Sequence, residues 1–254
     1  MNQLLAFLIG TAVAFVPPPS NAGRLGSEAV EVDVQLVLAA DISGSMSASL
    51  KDAQRLGFVV AFLDRSLQQA IMSGPLGRIA VSYFEWAGNG DQRLIVPWTV
   101  LATPEDMARF AKSLQSGPTQ GNGSETSISG AMVFARQLFQ ESGFASKRKV
   151  VDISSNGRNS QGTDLALALE ALFAIGATVN GLVLSDSASG QNAPYSTIIT
   201  EYDGPLIDYY RNEVIGGPGA FAIEVDPSDG FSSAILRKLV MEIASAGFVG
   251  TLDE

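Results

Sequence analysis

The sequence predicts an α/β fold: a doubly wound, mainly parallel sheet of six strands, with one antiparallel edge strand and helices on both faces. Two observations predict it. From residue 32 onward, strand-like runs rich in Val, Leu and Ile alternate with segments of helical period. The alternation points to parallel strands joined by crossover helices, a sheet covered on both faces. One pair of runs is joined by a turn too short for a crossover, which makes that pair antiparallel.

The elements follow in order. "VDVQLVLAAD" (32–41) reads as the first strand. Residues 47–72 have helical spacing, with Leu50, Leu56, Val59, Val60, Leu63, Leu67 and Ile71 near one face. "GPLG" breaks that helix, and "RIAVSYFEWAG" (78–88) is the next strand. "GNGD" (88–91) turns the chain into "QRLIVPWTVL" (92–101), where Pro97 suits an edge strand because its missing N–H leaves no ladder bond unmade. Thr103-Pro104-Glu105-Asp106 is a helix start, with a hydroxyl cap, proline in the first turn and acids beside it. That helix runs to about Gln115. A glycine-dense loop (116–125) leads to a helix from about Thr126 to Phe139. "RKVVDISSNG" (148–157) is a strand and turn, 163–176 a helix stopped by Gly176, and "ATVNGLVLS" (177–185) a strand. Residues 202–226 read as a short helix, a glycine turn and a final strand, and 228–246 as the closing helix. Asp152 lies inside a strand, where pairing with a Lys or Arg is one expectation, and it is assigned no chemistry.

The chain has 254 residues, 46% hydrophobic and 17% charged, enough for one large domain with a real core. Its net charge of −10 and the lack of a dense basic patch argue against nucleic acid and anionic membrane surfaces as partners. Two absences narrow the chemistry further. With no His and no Cys, a Ser-His-Asp triad, a thiol nucleophile and a zinc site of imidazole or thiolate are excluded. A metal here has to be held by oxygen, which points to Mg²⁺ or Mn²⁺, with Ca²⁺ less suited.

The N-terminus carries an apolar run from Leu4 to Val16, short of the roughly 20 residues that span a bilayer. Prolines and a small-x-small site, Ser20-Asn21-Ala22, follow it. Residues 1–22 are therefore expected to be a secretory signal cleaved near Ala22, although no Lys or Arg precedes the apolar run. The expected organisation is signal 1–22, a short linker 23–31, one domain over 32–247 and a tail 248–254. The expected location is the periplasm or the exterior, with no stable membrane insertion after cleavage.

Chemistry gathers at three places. "DISGSMS" puts Asp41, Ser43 and Ser45 at the carboxyl end of the first strand. "GSETSISGAM" (123–132) puts Thr126 at a helix start. "SSNG" (154–157) puts Asn156 at the carboxyl end of another strand. In a doubly wound sheet these loops converge on one edge, where ligands bind. The five residues offer hard oxygen donors and no basic group, the set that suits Mg²⁺. Asp, Ser and Thr also serve in ordinary strand-end turns and helix caps, and that plainer role stays open for each of them.

Asp-x-Ser-x-Ser at the first strand end resembles the metal-ion-dependent adhesion site of von Willebrand factor A domains. Thr126, followed by Ile128, Gly130 and Ala131, is similar to the second motif of that family. The third motif is usually Thr-Asp-Gly, and here it is Ser155-Asn156-Gly157. The resemblance covers about residues 32–246. Within the family, the sequence also resembles an uncharacterised group of exported bacterial proteins made of one such domain. "GRIAVSYFEWAG" (77–88), "VPWT" (96–99), "TVNGL" (178–182) and "YYRNEVIGGPGAF" (209–221) carry that narrower likeness.

The resemblance implies a Rossmann-like fold and a metal site of Asp41, Ser43, Ser45, Thr126 and Asn156. The two serines, and with ligand bound the threonine, touch the ion, while the first Asp and the third-loop Asp of such domains act largely through water. An Asp or Glu carboxylate of a protein partner completes the shell. Asn156 supplies no charge where the family has a carboxylate, so metal affinity is expected to fall. Glu125, next to Thr126, is positioned to return some of it. Glu85 ends a strand near the same edge and is another candidate support, or a hydrogen-bonded structural acid. The expected function is an exported protein-binding module and not an enzyme. Two alternatives remain: a metal-dependent hydrolase, and a structural domain whose metal site has decayed through Asn156.

Overall fold

The computed structural model describes residues 29–118, 123–184, 204–225 and 230–244. The expected signal peptide and C-terminal tail lie outside the described residues. The central sheet contains β2 (Gln35–Asp41), β3 (Ile79–Trp86), β4 (Gln92–Leu101), β6 (Lys149–Ser155), β7 (Ala177–Val183) and β8 (Ala222–Glu224). Its order is β4-β3-β2-β6-β7-β8, parallel throughout except for the β3–β4 pair. The predicted doubly wound sheet with one antiparallel edge strand is what forms.

Helices α1 (Ala48–Leu63), α2 (Arg65–Met72), α3 (Pro104–Gln115) and α7 (Phe231–Ala244) supply apolar side chains to the core on one face. Helices α4 (Ile128–Gln140) and α5 (Leu165–Phe173) do so on the other, together with the short α6 (Leu206–Tyr209) and the π-helical turn Tyr210–Val214 that continues it. Every residue of β2 and β3 is buried, as strands covered on both faces must be. Aromatic pairs knit helices to sheet and to each other: the Phe58 and Tyr83 rings lie 5.6 Å apart and those of Phe62 and Phe110 4.7 Å, both edge to face.

The first long helical segment departs from expectation. The chain breaks at Asp64, whose backbone is extended and whose carboxylate accepts from Ser66 N and Ser66 Oγ, so that α2 begins with its own cap. The buried face of α1 also differs. Lys51, Gln54, Gly57, Phe58, Val59, Ala61 and Phe62 turn inward, while Leu56, Val60 and Leu63 are exposed. The helix is apolar on several sides, so sequence spacing alone did not choose between them. The close approach of α7 did: a side chain at Gly57 would meet Ile235 Cδ1 at 2.5 Å.

Two further details were not expected. Val30–Glu31, at the end of the expected linker, forms strand β1 and pairs in parallel with β5 (Phe144–Ala145). The expected first strand, from residue 32, is interrupted at Asp33, whose carboxylate accepts from Leu76 N and Arg78 N. Pro97 sits in edge strand β4 opposite a register shift between Val81 and Tyr83. The Thr103 cap is a full capping box with Asp106. Thr103→Ala is expected to lower stability by about 1 kcal/mol, read as a small fall in denaturation midpoint without loss of folding.

The sheet order places the site. From β2 the chain winds outward through β3 to β4, and later from β6 through β7 to β8 in the opposite direction. The reversal falls between β2 and β6, whose connections leave to opposite sides and open a crevice at their carboxyl ends. Asp41 ends β2 there, and Ser155 ends β6.

Candidate metal centre

Asp41 is fully buried at the strand end. Its Oδ1 accepts from Ser43 N at 2.6 Å, closing a tight turn, and its Oδ2 accepts from Ser155 Oγ across the crevice. Burial pushes the Asp41 carboxyl above its ordinary value, opposed by those hydrogen bonds and by the positive charge of Lys51. From below, Gln54 of α1 donates to the Asp41 carbonyl at 3.0 Å and accepts from Ser154 Oγ. The first helix is thereby tied to both strands that flank the crevice.

The turn presents Ser43 and Ser45. Their Oγ atoms lie 3.1 Å apart, Ser43 buried and Ser45 exposed. Ser45 Oγ donates to Asn156 Oδ1 at 2.8 Å, and Asn156 Nδ2 donates back to the Ser45 carbonyl at 3.3 Å. This reciprocal pair joins the first and third loops, and an aspartate could make only half of it.

Thr126 comes from the second loop. It immediately precedes Ser127, the cap of α4, and is 8% exposed. A side chain at Gly157 would touch Thr126 Oγ1 at 3.3 Å, so second and third loops are in contact. A side chain at Gly44 would meet the Ser124 and Gly123 carbonyls at 3.1 and 3.3 Å, which puts the first loop against the second. Residues after Asn156 brace the same helix start: Ser160 N donates to Thr126 O, Ser160 Oγ donates to Glu125 Oε2, and Asn159 Oδ1 accepts from Ser129 N.

Asp41, Ser43, Ser45, Thr126 and Asn156 are thus drawn from three loops into one cluster at the crevice. Glu125 is exposed beside it, held by Ser160. Glu85 is turned away, onto the α1 face. It is 1% exposed and paired with Arg55 at 2.6 Å, and it accepts from Tyr83 at 3.1 Å. Of the two roles expected for Glu85, hydrogen-bonded structural acid describes its contacts. Arg55 also donates to the Gly117 and Pro118 carbonyls, holding the chain that leads toward the second loop. Asp152 has a basic partner, Lys238 at 2.6 Å.

Sequence reasoning missed Ser155, Gln54 and Lys51. Ser155 stood in the third motif, its hydroxyl unassigned. Gln54 and Lys51 carry only a faint signal, two polar residues inside an otherwise apolar helix.

The cluster fits a hard divalent cation in donor type. Two hydroxyl oxygens 3.1 Å apart match adjacent corners of an octahedron with ligand distances of about 2.1 Å. The charge fit is poorer. Among the described residues no group of three or more His, Cys, Asp or Glu comes together that could hold a metal, and the positive charge of Lys51 acts on Asp41.

Over residues 31–247 the sequence matches the model of a family described as "Protein of unknown function (DUF1194)". The chain belongs to that family. Solved structures give the DUF1194 chain its relatives in fold. A von Willebrand factor type A protein from Catenulispora acidiphila superposes with a TM-score of 0.53 at 13% identity, over 85% of this chain and 43% of that one. Proximal thread matrix protein 1 from the mussel byssus, in a form with a zinc-occupied metal-ion-dependent adhesion motif, gives 0.58 at 17% identity, over 86% and 50%. The pilus adhesin SpaC of Lactobacillus rhamnosus GG gives 0.56 at 15% identity in its open conformation, over 83% and 30%. The chain spans about half the length of the mussel protein. No curated protein matches the sequence. No described helix is long and apolar enough to cross a membrane.

Proposed function

We propose that the chain is a protein-interaction module that holds Mg²⁺ or Mn²⁺ at the β2–β6 crevice and binds a partner through it. Ser43, Ser45 and Thr126 would hold the ion directly, with Asp41 and Asn156 positioned to act through water. The ion supplies a Lewis-acidic position that an Asp or Glu carboxylate of the partner completes. The chain's own residues do the rest. Ser155 and the Ser43 amide fix Asp41, Gln54 fixes the strand end beneath it, and the Ser45–Asn156 pair sets the spacing of the loops. The observation that carries this reading is the pair of hydroxyls at octahedral spacing, with Asp41 buried directly below.

No enzymatic role is proposed. Glu85 is engaged by Arg55, and Glu125 is exposed and held by Ser160. We place the module outside the cytoplasm, on the signal-like composition of residues 1–22.

Calorimetric titration of Mg²⁺ and Mn²⁺ tests the reading. Saturable binding is expected in the wild type, lost in Ser43→Ala and tightened about tenfold or more in Asn156→Asp, which adds a carboxylate. Binding absent from the wild type but present in Asn156→Asp would identify a decayed site and overturn the proposal. Glu125→Gln should weaken binding; unchanged affinity would remove Glu125 from the site.

A further inference from the structure

A cluster of three buried charged side chains lies away from the candidate metal centre, under α7. Lys238 and Glu242, one turn apart on α7, and Asp152 on β6 have side chains 0%, 0% and 1% exposed. Lys238 Nζ lies 2.6 Å from Asp152 Oδ1 and 2.5 Å from Glu242 Oε1. From β7, Asn180 donates to Glu242 Oε1 at 2.9 Å and accepts from Phe221 N at 3.1 Å. The Phe221 ring covers Lys238 at 5.7 Å. Just before β6, Arg148 aims its guanidinium at the Glu242 and Ile243 carbonyls, tethering the end of α7. Two carboxylates therefore share one ammonium, and Glu242 Oε2 is buried with no hydrogen-bond partner among the described residues.

A fully ionised cluster sets two fully buried carboxylates on one fully buried ammonium, with the part-buried Arg148 as the next cation, a costly arrangement. A cavity of about 330 Å³, lined by Glu242 and Asn180 with Lys147, Arg148 and Lys149 among its other residues, runs beside the cluster.

We propose that Lys238, Asp152 and Glu242 form a proton-operated clamp on α7. With Glu242 protonated, the buried charges balance, Oε2 becomes a hydroxyl donor, and the helix is held. With Glu242 ionised, the excess charge loosens the helix from β6 and β7. Burial and the neighbouring Asp152 carboxylate push Glu242 up to about 7 from 4.5, with Lys238 and Asn180 opposing. A carboxyl raised in the folded state stabilises fully below its unfolded value, and that contribution is lost as pH rises through the folded one. The window of loosening is therefore about 4.5 to about 7. The charged groups facing Glu242 are Lys238 from α7, Asp152 from β6 and Arg148 from the segment before it, with Lys147 and Lys149 at the cavity.

Hydrogen exchange on the full chain tests it, with α4 as the internal reference. Corrected for intrinsic rate, protection of α7 relative to α4 should fall roughly tenfold or more between about pH 5.5 and about pH 8. Glu242→Gln should abolish that change and keep α7 as protected at the higher pH as the wild type is at the lower. Equal wild-type protection at both pH values, or an unaltered pH response in Glu242→Gln, would overturn the clamp. A carbon NMR titration of the wild-type carboxyls keeps the test open if the variant fails to fold: Glu242 should titrate near neutral, and titration in the ordinary carboxylate range would overturn the proposal.

Discussion

Lys238→Ala is expected to cost about 3–5 kcal/mol of folding free energy, the largest effect of any single substitution considered. The variant leaves Asp152 and Glu242 facing each other in the interior with no cation between them. Removing one member of a buried pair costs far more than the pair contributes, because the remaining charge has neither water nor partner. The loss should be read by denaturant unfolding at neutral pH and should shrink in acid, where the two carboxyls take up protons. A triple replacement of Lys238, Asp152 and Glu242 by apolar residues of similar size should recover much of the loss. A loss under about 1 kcal/mol in Lys238→Ala would mean that the ammonium is not compensating these carboxylates.

Arg55→Ala should cost about 3 kcal/mol or more, by the same reasoning applied to Glu85. Here the effect has a second, local part. Arg55 joins α1 and β3 to the Gly117 and Pro118 carbonyls, so its loss frees the chain on its way to Glu125 and Thr126. Denaturant unfolding measures the first part. Faster amide exchange at residues 123–126, beyond that of the rest of the domain, measures the second. Arg55→Lys should fall between, since an ammonium keeps the charge but cannot fork between a carboxylate and two carbonyls. Unfolding free energy within error of wild type in Arg55→Ala would contradict the pairing.

Much of the architecture was legible because it rests on local signals. Thr103 and Asp106 announce a capping box within four residues, "GNGD" announces the antiparallel turn, and Pro97 announces an edge. The placement of Asp41, Ser43, Ser45 and Asn156 was legible for a related reason: they follow strand runs directly, and a doubly wound sheet sends such ends to one side. What was not legible depends on partners distant in the chain. Asp41 is held by Ser155, 114 residues away, and Gln54 by Ser154, 100 residues away. Gln54, Lys51 and Lys238 look like breaks in an apolar face until those partners are in place. The break at Asp64 was hidden because helical spacing continues across it, and a short capping side chain leaves the period almost undisturbed.

The outer margin of β4 bears on how the protein behaves when crowded. Ten residues of backbone, Gln92–Leu101, lie along one border of the sheet. An uninterrupted border of that length invites a strand from a neighbouring molecule, the first step toward aggregation. Pro97 removes a donor near its middle, and the register shift beside it bends the local ladder. The border is thereby divided into two short stretches. At the other end of the sheet β8 is three residues long. Neither margin offers a template on which a second chain could readily extend the sheet.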